Sequence, residues 1–211
     1  AFASLTLQNT CTLTQTATTS GTVNRTILTM AGAVSVDSTS TINMDGRGFP
    51  IGYTSNGAGG ATTTNASTSN KGGSHGGFGG LGAAGNNGLT YDSVQEPVDP
   101  GGGSGANAGG GYVKIVANSL ALSGTIRANG ASAGCCSGGA GGGIWISVTG
   151  AVTGSGSVLA NGGNGTDINN GSGGGGRVAF YYNTSVSGNG SLGLAFQVYG
   201  GTNAGAVANN V

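Results

Sequence analysis

Apolar and polar residues alternate along much of this chain, and the alternation comes in short, repeated bursts. Leu5, Leu7, Leu13, Ile27 and Met30 stand among Thr, Gln and Asn, the period-two pattern of half-buried strands. The pattern returns in Tyr112-Val113-Lys114-Ile115-Val116, Ile144-Trp145-Ile146-Ser147-Val148 and Arg177-Val178-Ala179-Phe180-Tyr181. A glycine run precedes each of these three segments, at 109–111, 141–143 and 173–176. The steps from Gly111 to Gly143 and from Gly143 to Gly176 are 32 and 33 residues. A fixed period of that size predicts stacked repeats, each burying its apolar face only against its neighbours.

The repeat can be read in four copies. Val34-Ser35-Val36 is followed by Thr41-Ile42-Asn43-Met44-Asp45-Gly46, and Leu120-Ala121-Leu122 by Thr125-Ile126-Arg127-Ala128-Asn129-Gly130. Val152 is followed by Ser157-Val158-Leu159-Ala160-Asn161-Gly162, and a decayed copy runs from Val186 through Leu192, Leu194, Phe196 and Val198. The first three strand pairs end at Asp-Gly or Asn-Gly, residues that tolerate the positive φ of a tight corner, and the decayed copy ends at Gly200. The fold predicted is all-β, a parallel β-helix or solenoid with Val, Ile and Leu inward and Ser, Thr and Asn outward. Asp45, Asn129 and Asn161 fall at equivalent corners and are placed to hydrogen-bond along the stack as a ladder.

One stretch breaks the period. From residue 47 to 111 a short glycine tract is replaced by some 65 residues, too long for a structureless loop in a compact domain. It is dense in glycine yet carries Phe49, Ile51, Tyr53, Phe78, Leu81, Leu89 and Tyr91. Extended polyproline-II segments pack side by side when glycine removes the side chains between them, so a polyproline-II bundle is expected here. The chain thus divides into N-terminal strands over 1–33, an assembly segment on this reading, and a solenoid over 34–211 interrupted by the 47–111 insertion.

The order Asp-Gly-Arg-Gly, Gly-Gly-Ser-His-Gly-Gly-Phe-Gly-Gly, Gly-Gly-Gly-Tyr-Val-Lys-Ile, Ser-Gly-Thr-Ile-Arg-Ala-Asn-Gly, Gly-Gly-Gly-Ile-Trp-Ile and Gly-Gly-Gly-Gly-Arg-Val-Ala-Phe-Tyr-Tyr resembles a known kind of module. It is similar to the glycine-rich β-helical segments of very large surface and adhesin-like proteins of bacteria, algae and other protists, including flagellar-hair filament proteins. The resemblance spans roughly residues 34 to 201. It implies a structural module and no shared activity, and a short chain of this kind suggests a processed fragment or a self-assembling subunit.

Composition narrows the function further. Lys and Arg number 6 and Asp and Glu 6, a net charge of zero, so the basic footprint that nucleic acid demands is missing. No polybasic segment and no run of about 20 apolar residues is present, so neither membrane binding nor insertion is expected. Six Asn-x-Ser/Thr sequons, at Asn24, Asn65, Asn164, Asn170, Asn183 and Asn189, are candidate glycan acceptors in a glycosylating host. Cys11, Cys135 and Cys136 form an odd set: either Cys11 bridges one of the adjacent pair and the other bonds a second chain, or all three are free. Together these features point to an extracellular or cell-surface protein.

No chemistry rises above this background. Gly72-Gly73-Ser74-His75-Gly76 satisfies Gly-x-Ser-x-Gly, but a nucleophile elbow needs a strand-to-helix turn and a histidine distant in sequence. His75 is expected instead to bond inside the glycine bundle, to Asp92 or a backbone carbonyl. Gly162 to Asp167 matches the opening of a calcium-binding nonapeptide, but only once, and such sites need tandem copies. Asp92, Glu96 and Asp99 are the densest carboxylate group, read as a solvated loop rather than a cation site. No carboxylate pair suits glycoside chemistry. No enzyme, cofactor or metal is therefore expected. The function predicted is a structural subunit forming a homo-oligomer or filament through its solenoid ends. The alternative is an adhesin-like carbohydrate-binding module, or an ice-binding one using Thr62-Thr63-Thr64 and the threonines from Thr10 to Thr22.

Overall fold

The computed structural model describes residues 2–132, 136–183 and 192–203. It is all-β, and the described residues contain no helix, hence none long and apolar enough to cross a membrane. The first three strands are β1 (Leu5–Leu7), β2 (Thr12–Thr14) and β3 (Thr26–Thr29). Then come β4 (Ala33–Val36), β5 (Thr41–Asn43), the small hairpin β6 (Thr54–Ser55) and β7 (Ala61–Thr62), and β8 (Tyr112–Ala117). A third set is β9 (Ser119–Leu122), β10 (Thr125–Arg127) and β11 (Gly143–Val148). The last are β12 (Val152–Thr153), β13 (Ser157–Leu159), β14 (Arg177–Tyr182) and β15 (Ala195–Gln197).

Three parallel sheets collect these strands in cyclic order: β1-β4-β9-β12, then β15-β13-β10-β5-β2, then β14-β11-β8-β3. The chain visits each sheet once and returns to the first one strand further on. That makes four complete passes and part of a fifth. Register is kept from pass to pass, so like side chains stack. Leu13, Ile42, Ile126, Val158 and Phe196 form one column, and Leu28, Ile115, Ile146 and Phe180 another. Strands β8 and β11 share the same alternation of buried and half-buried positions, as a period of two requires. Ile42, Ile126, Ile144 and Ile146 are fully buried, and each contributes about 1.5–3 kcal/mol relative to exposure.

Two sequence expectations need correction. The boundary at residue 33 separates nothing, because β1, β2 and β3 pair with β4, β5 and β8 as one more pass of the same sheets. The glycine runs also mislead by one residue. Gly143 pairs with Tyr112 and Arg177, not with Gly111 and Gly176, so Ile144 stacks on Val113 and Val178. A slip of one would turn every side chain to the other face, and burial of the Val-Ile-Val column decides between the registers.

The corners carry the ladder geometry. Asn129 N–H donates to Asp45 Oδ1 at 2.7 Å, Asn161 N–H to Asn129 Oδ1 at 2.8 Å and Tyr199 N–H to Asn161 Oδ1 at 2.8 Å. Of the three corner glycines only Gly46 has a positive φ, 62°. At Gly130 and Gly162 glycine is needed for a different reason, since a Cβ would lie 1.9 and 2.1 Å from the carbonyl oxygens of Gly139 and Gly173. Replacing Asn129 by Ala strands the Asn161 N–H in a half-buried corner. The expected cost is about 1–3 kcal/mol, and Asn129→Asp, which copies Asp45, retains most of the stability; thermal unfolding checks both.

Between the second and third strand of each later pass, including the whole of 47–111, backbone pairs with backbone in three directions. Gly138 and Gly141 donate to Gly171 and Gly174, Gly139 and Gly142 to Ala131 and Ala128, and Ala140 and Gly143 to Gly102 and Gly111. Gly171 and Gly174 likewise donate to Asn70 and Gly73, while Gly173 and Gly176 donate to Gly163 and Ala160. Residues three apart serve the same neighbour. A sheet strand bonds on two sides only, so each segment here is enclosed by other backbones. The 47–111 segment therefore packs on the later glycine tracts of its own chain, through Gly73 with Gly138 and Gly110 with Ala140.

Candidate functional site

Two places on this frame are shaped for contact: a groove beneath the 91–99 loop and the end of the stack beyond β14 and β15. The loop begins at Asp92, whose φ of +73° is tolerated by a short polar side chain. Asp92 Oδ1 accepts the N–H of Ser93 and Val98, and Oδ2 that of Asp99, each within 3.0 Å, so one carboxylate closes the loop. The same Oδ2 lies 3.2 Å from Nε2 of His75. Both side chains are buried, at 0% and 1% exposure.

His75 Nδ1 is 2.9 Å from the carbonyl oxygen of Gly141. Both ring nitrogens of His75 thus face acceptors, the Gly141 carbonyl on one side and the Asp92 carboxylate on the other. The arrangement is a buried His–Asp pair. Burial pushes the Asp92 carboxyl up, but hydrogen bonds from His75 and from the Asp99 and Val98 amides outweigh it and hold the group below the usual carboxylate range. Tyr91 stacks on the imidazole at 4.7 Å and gives its O–H to Pro100 O at 2.6 Å. Burial pushes its phenol well above the ordinary value.

This geometry disposes of the Gly-x-Ser-x-Gly match. Ser74 Oγ donates to Gly88 O at 2.8 Å and accepts the Gly79 N–H at 2.9 Å, and neither atom is His75. The three loop carboxylates diverge as well. Asp92 faces His75, Asp99 binds Arg25 and Ser55, and Glu96 Oε1 lies 3.6 Å from Lys114 Nζ. Among the described residues no three His, Cys, Asp or Glu side chains are grouped to hold a metal ion. Asp167 in the nonapeptide-like stretch accepts Asn169 N–H and Asn170 Nδ2, closing its own turn.

Beyond Asp92 the loop stands over the outer face of the third sheet. Tyr181 O–H donates to Gln95 O at 2.8 Å. Ser93, Gln95, Glu96, Trp145 and Tyr181 enclose a groove of about 410 Å³. Trp145 and Tyr181 lie 5.9 Å apart at 46°, and Lys114 Nζ sits 4.2 Å over the indole. A second groove, about 620 Å³, opens at the end of the stack among Val178, Phe180, Tyr182, Leu194, Phe196 and Val198. Phe180 meets Phe196 edge-on at 5.3 Å. At the other end the outer edges of β1, β2 and β3 form no ladder with another described strand.

The remaining sequence candidates are scattered. Cys11 is a free, exposed thiol on the first pass, so no bridge links it to the adjacent pair. Cys136 lies on the third pass and Cys135 outside the described residues. Asn65, Asn164 and Asn183 are exposed and Asn24 is half-buried, its Nδ2 donating to Ala17 O at 2.9 Å. Asn170 is only 8% exposed, with Nδ2 bonded to Asp167 and Oδ1 to Asn70, so the folded chain does not present it to a glycan. Asn189 falls outside the described residues. The meeting of the loop with the Trp145–Tyr181 face was not foreseen from the sequence. The available signal was alternation, which turns Trp145 and Tyr181 outward on neighbouring strands. No protein-family model, curated protein or solved structure matches this chain.

Proposed function

We propose that this chain is a parallel β-solenoid carrying a polyproline-II glycine bundle, and that it serves as a non-enzymatic structural subunit of an extracellular filament or coat. The solenoid reading rests on the cyclic visit to three parallel sheets, one strand per sheet per pass. The polyproline-II reading rests on the period of three in backbone donation, since a three-residue turn without internal bonds sends successive N–H groups three ways.

The observation that carries the assembly reading is the apolar groove at the end of the stack. It is lined by the same columns that are covered in every earlier pass: Val178 continues Val113 and Ile144, and Phe196 continues Ile42, Ile126 and Val158. The chemistry that covers such a column elsewhere is another pass of this fold. The first pass of a second copy offers one, with Leu5, Leu13 and Leu28 partly buried and packed on the core and its outer strand edges open. Contacts between unlike ends propagate as filaments unless the rotation between copies closes.

Phe196→Asp tests this. Phe196 is 40% exposed, so the fold tolerates the change, but a carboxylate on the covering column opposes burial. Sedimentation of the parent as concentration-dependent polymers, and of the variant as monomers, is the expected outcome. Equal behaviour of the two overturns the end-to-end assignment.

A further inference from the structure

The groove beneath the 91–99 loop is not used by the end contacts, and its chemistry is specific. Its floor is aromatic: Trp145 on β11 and Tyr181 on β14 point outward because Ile144, Ile146 and Phe180 point into the core. Tyr181 is 45% exposed, and its ring is held in place by the bond from its hydroxyl to Gln95 O. The wall is polar. Ser93 Oγ accepts the Gln95 and Glu96 amides, which leaves its own O–H to donate outward. The Glu96 side chain is 63% exposed and has an oxygen to spare beyond its 3.6 Å contact with Lys114.

Each feature excludes a ligand class. The Glu96 carboxylate and the Lys114 ammonium offset one another, so the groove favours neither an anion nor a cation. A wholly apolar ligand would desolvate Ser93 and Glu96 without replacing their bonds to water. A wholly polar one would leave the indole and phenol faces unmatched. What satisfies both is a neutral ring with C–H groups on its face and hydroxyls around its edge. At about 410 Å³ the groove is within the range that holds one or two such rings. We infer that this groove binds a neutral hexopyranose unit with equatorial hydroxyls, its C–H face on Tyr181 and Trp145 and its hydroxyls toward Glu96, Gln95 and Ser93.

Trp145 is the only tryptophan in the chain, so its emission reports on the groove alone. Titration of the full chain with a β-1,4-linked glucose hexamer is expected to change that emission saturably below about 10 mM. Tyr181→Ala weakens the half-saturation about tenfold, the upper end of what one aromatic contact contributes. Glu96→Gln, an exposed change that leaves the fold alone, weakens it about threefold. Phe2→Ala, exposed on the first pass, leaves it unchanged. A hexamer of the negatively charged galacturonate binds at least about tenfold more weakly, because Lys114 is already paired with Glu96 and the groove offers its carboxylates no free counter-charge to offset their desolvation. No saturable change with the glucose hexamer, equal binding of the charged hexamer, or retention of parent affinity by both groove variants overturns the assignment.

Discussion

Gly173→Ala abolishes the cooperative thermal transition of this chain, whereas Gly21→Ala melts at or slightly above the parent temperature. The contrast follows from what a methyl group meets. At Gly173 a Cβ would lie 1.8 Å from Gly139 O and 2.5 Å from Gly139 C, backbone atoms with nowhere to move. Gly139 is itself fixed, its N–H on Ala131 O and its carbonyl accepting the Gly163 N–H. Gly173 bonds in turn to Gly163 and Gly201, so separating the segments breaks several bonds at once. Ordinary overpacking costs about 1–3 kcal/mol because side chains yield. Here nothing yields, and a loss beyond about 5 kcal/mol is comparable to the whole stability of many domains. At Gly21 nothing lies within 4 Å, so alanine only narrows the unfolded ensemble, a gain of about 0.4–1 kcal/mol. Circular dichroism melts of the two variants check the pair.

The second large effect is at the buried pair. Asp92→Ala leaves the buried His75 Nε2 without its partner and strands the Ser93, Val98 and Asp99 amides. Leaving several buried groups without partners at once costs about 3–5 kcal/mol, which for a chain of this size lowers Tm by about 6–20 °C. Asp92→Asn costs less, because its Oδ1 still caps the loop and its amide N–H can meet a neutral Nε2. The two also differ in acid. The carboxyl is held below its unfolded value of about 3.9, so its stabilisation is fully present above about pH 4 and is lost as pH falls through the lowered value. Asp92→Asn lacks that part of the acid slope. Melts between pH 2 and 7 measure both statements, and a shift under about 2 °C for Asp92→Ala contradicts the role given to the pair.

The strands were legible because period-two alternation survives in a chain with little charge. Val34, Leu120 and Val152 do align, as do Thr41, Thr125 and Ser157. Register in the third sheet was not legible from the glycine runs. Gly143 sits in the strand itself, where Asp99 O approaches its face to within 2.6 Å of a Cβ. The first pass was missed as a repeat because it lacks the Asp-Gly or Asn-Gly corner, reaching β3 through Thr18 and Asn24 side-chain bonds instead. The partners of the long insertion could not be read from spacing either. They are backbone carbonyls on remote glycines, such as Gly138 for Gly73, which leave no side-chain pattern. The partners of His75 were legible as a class, Asp92 or a backbone carbonyl, and it meets both; that the carbonyl is Gly141's required the insertion to fold back on a later glycine tract.

Rigidity here comes from register and from glycine contacts spread over the whole length, and the histidine and most carboxylates are engaged in holding loops. The apolar columns run uninterrupted to an end that nothing in the described chain covers. Cryo-electron microscopy of the purified protein at high concentration tests that most directly. Filaments are expected, with subunits advancing by about 20–25 Å, four complete passes and part of a fifth at about 4.8 Å each. Monodisperse monomers under the same conditions contradict end-to-end assembly.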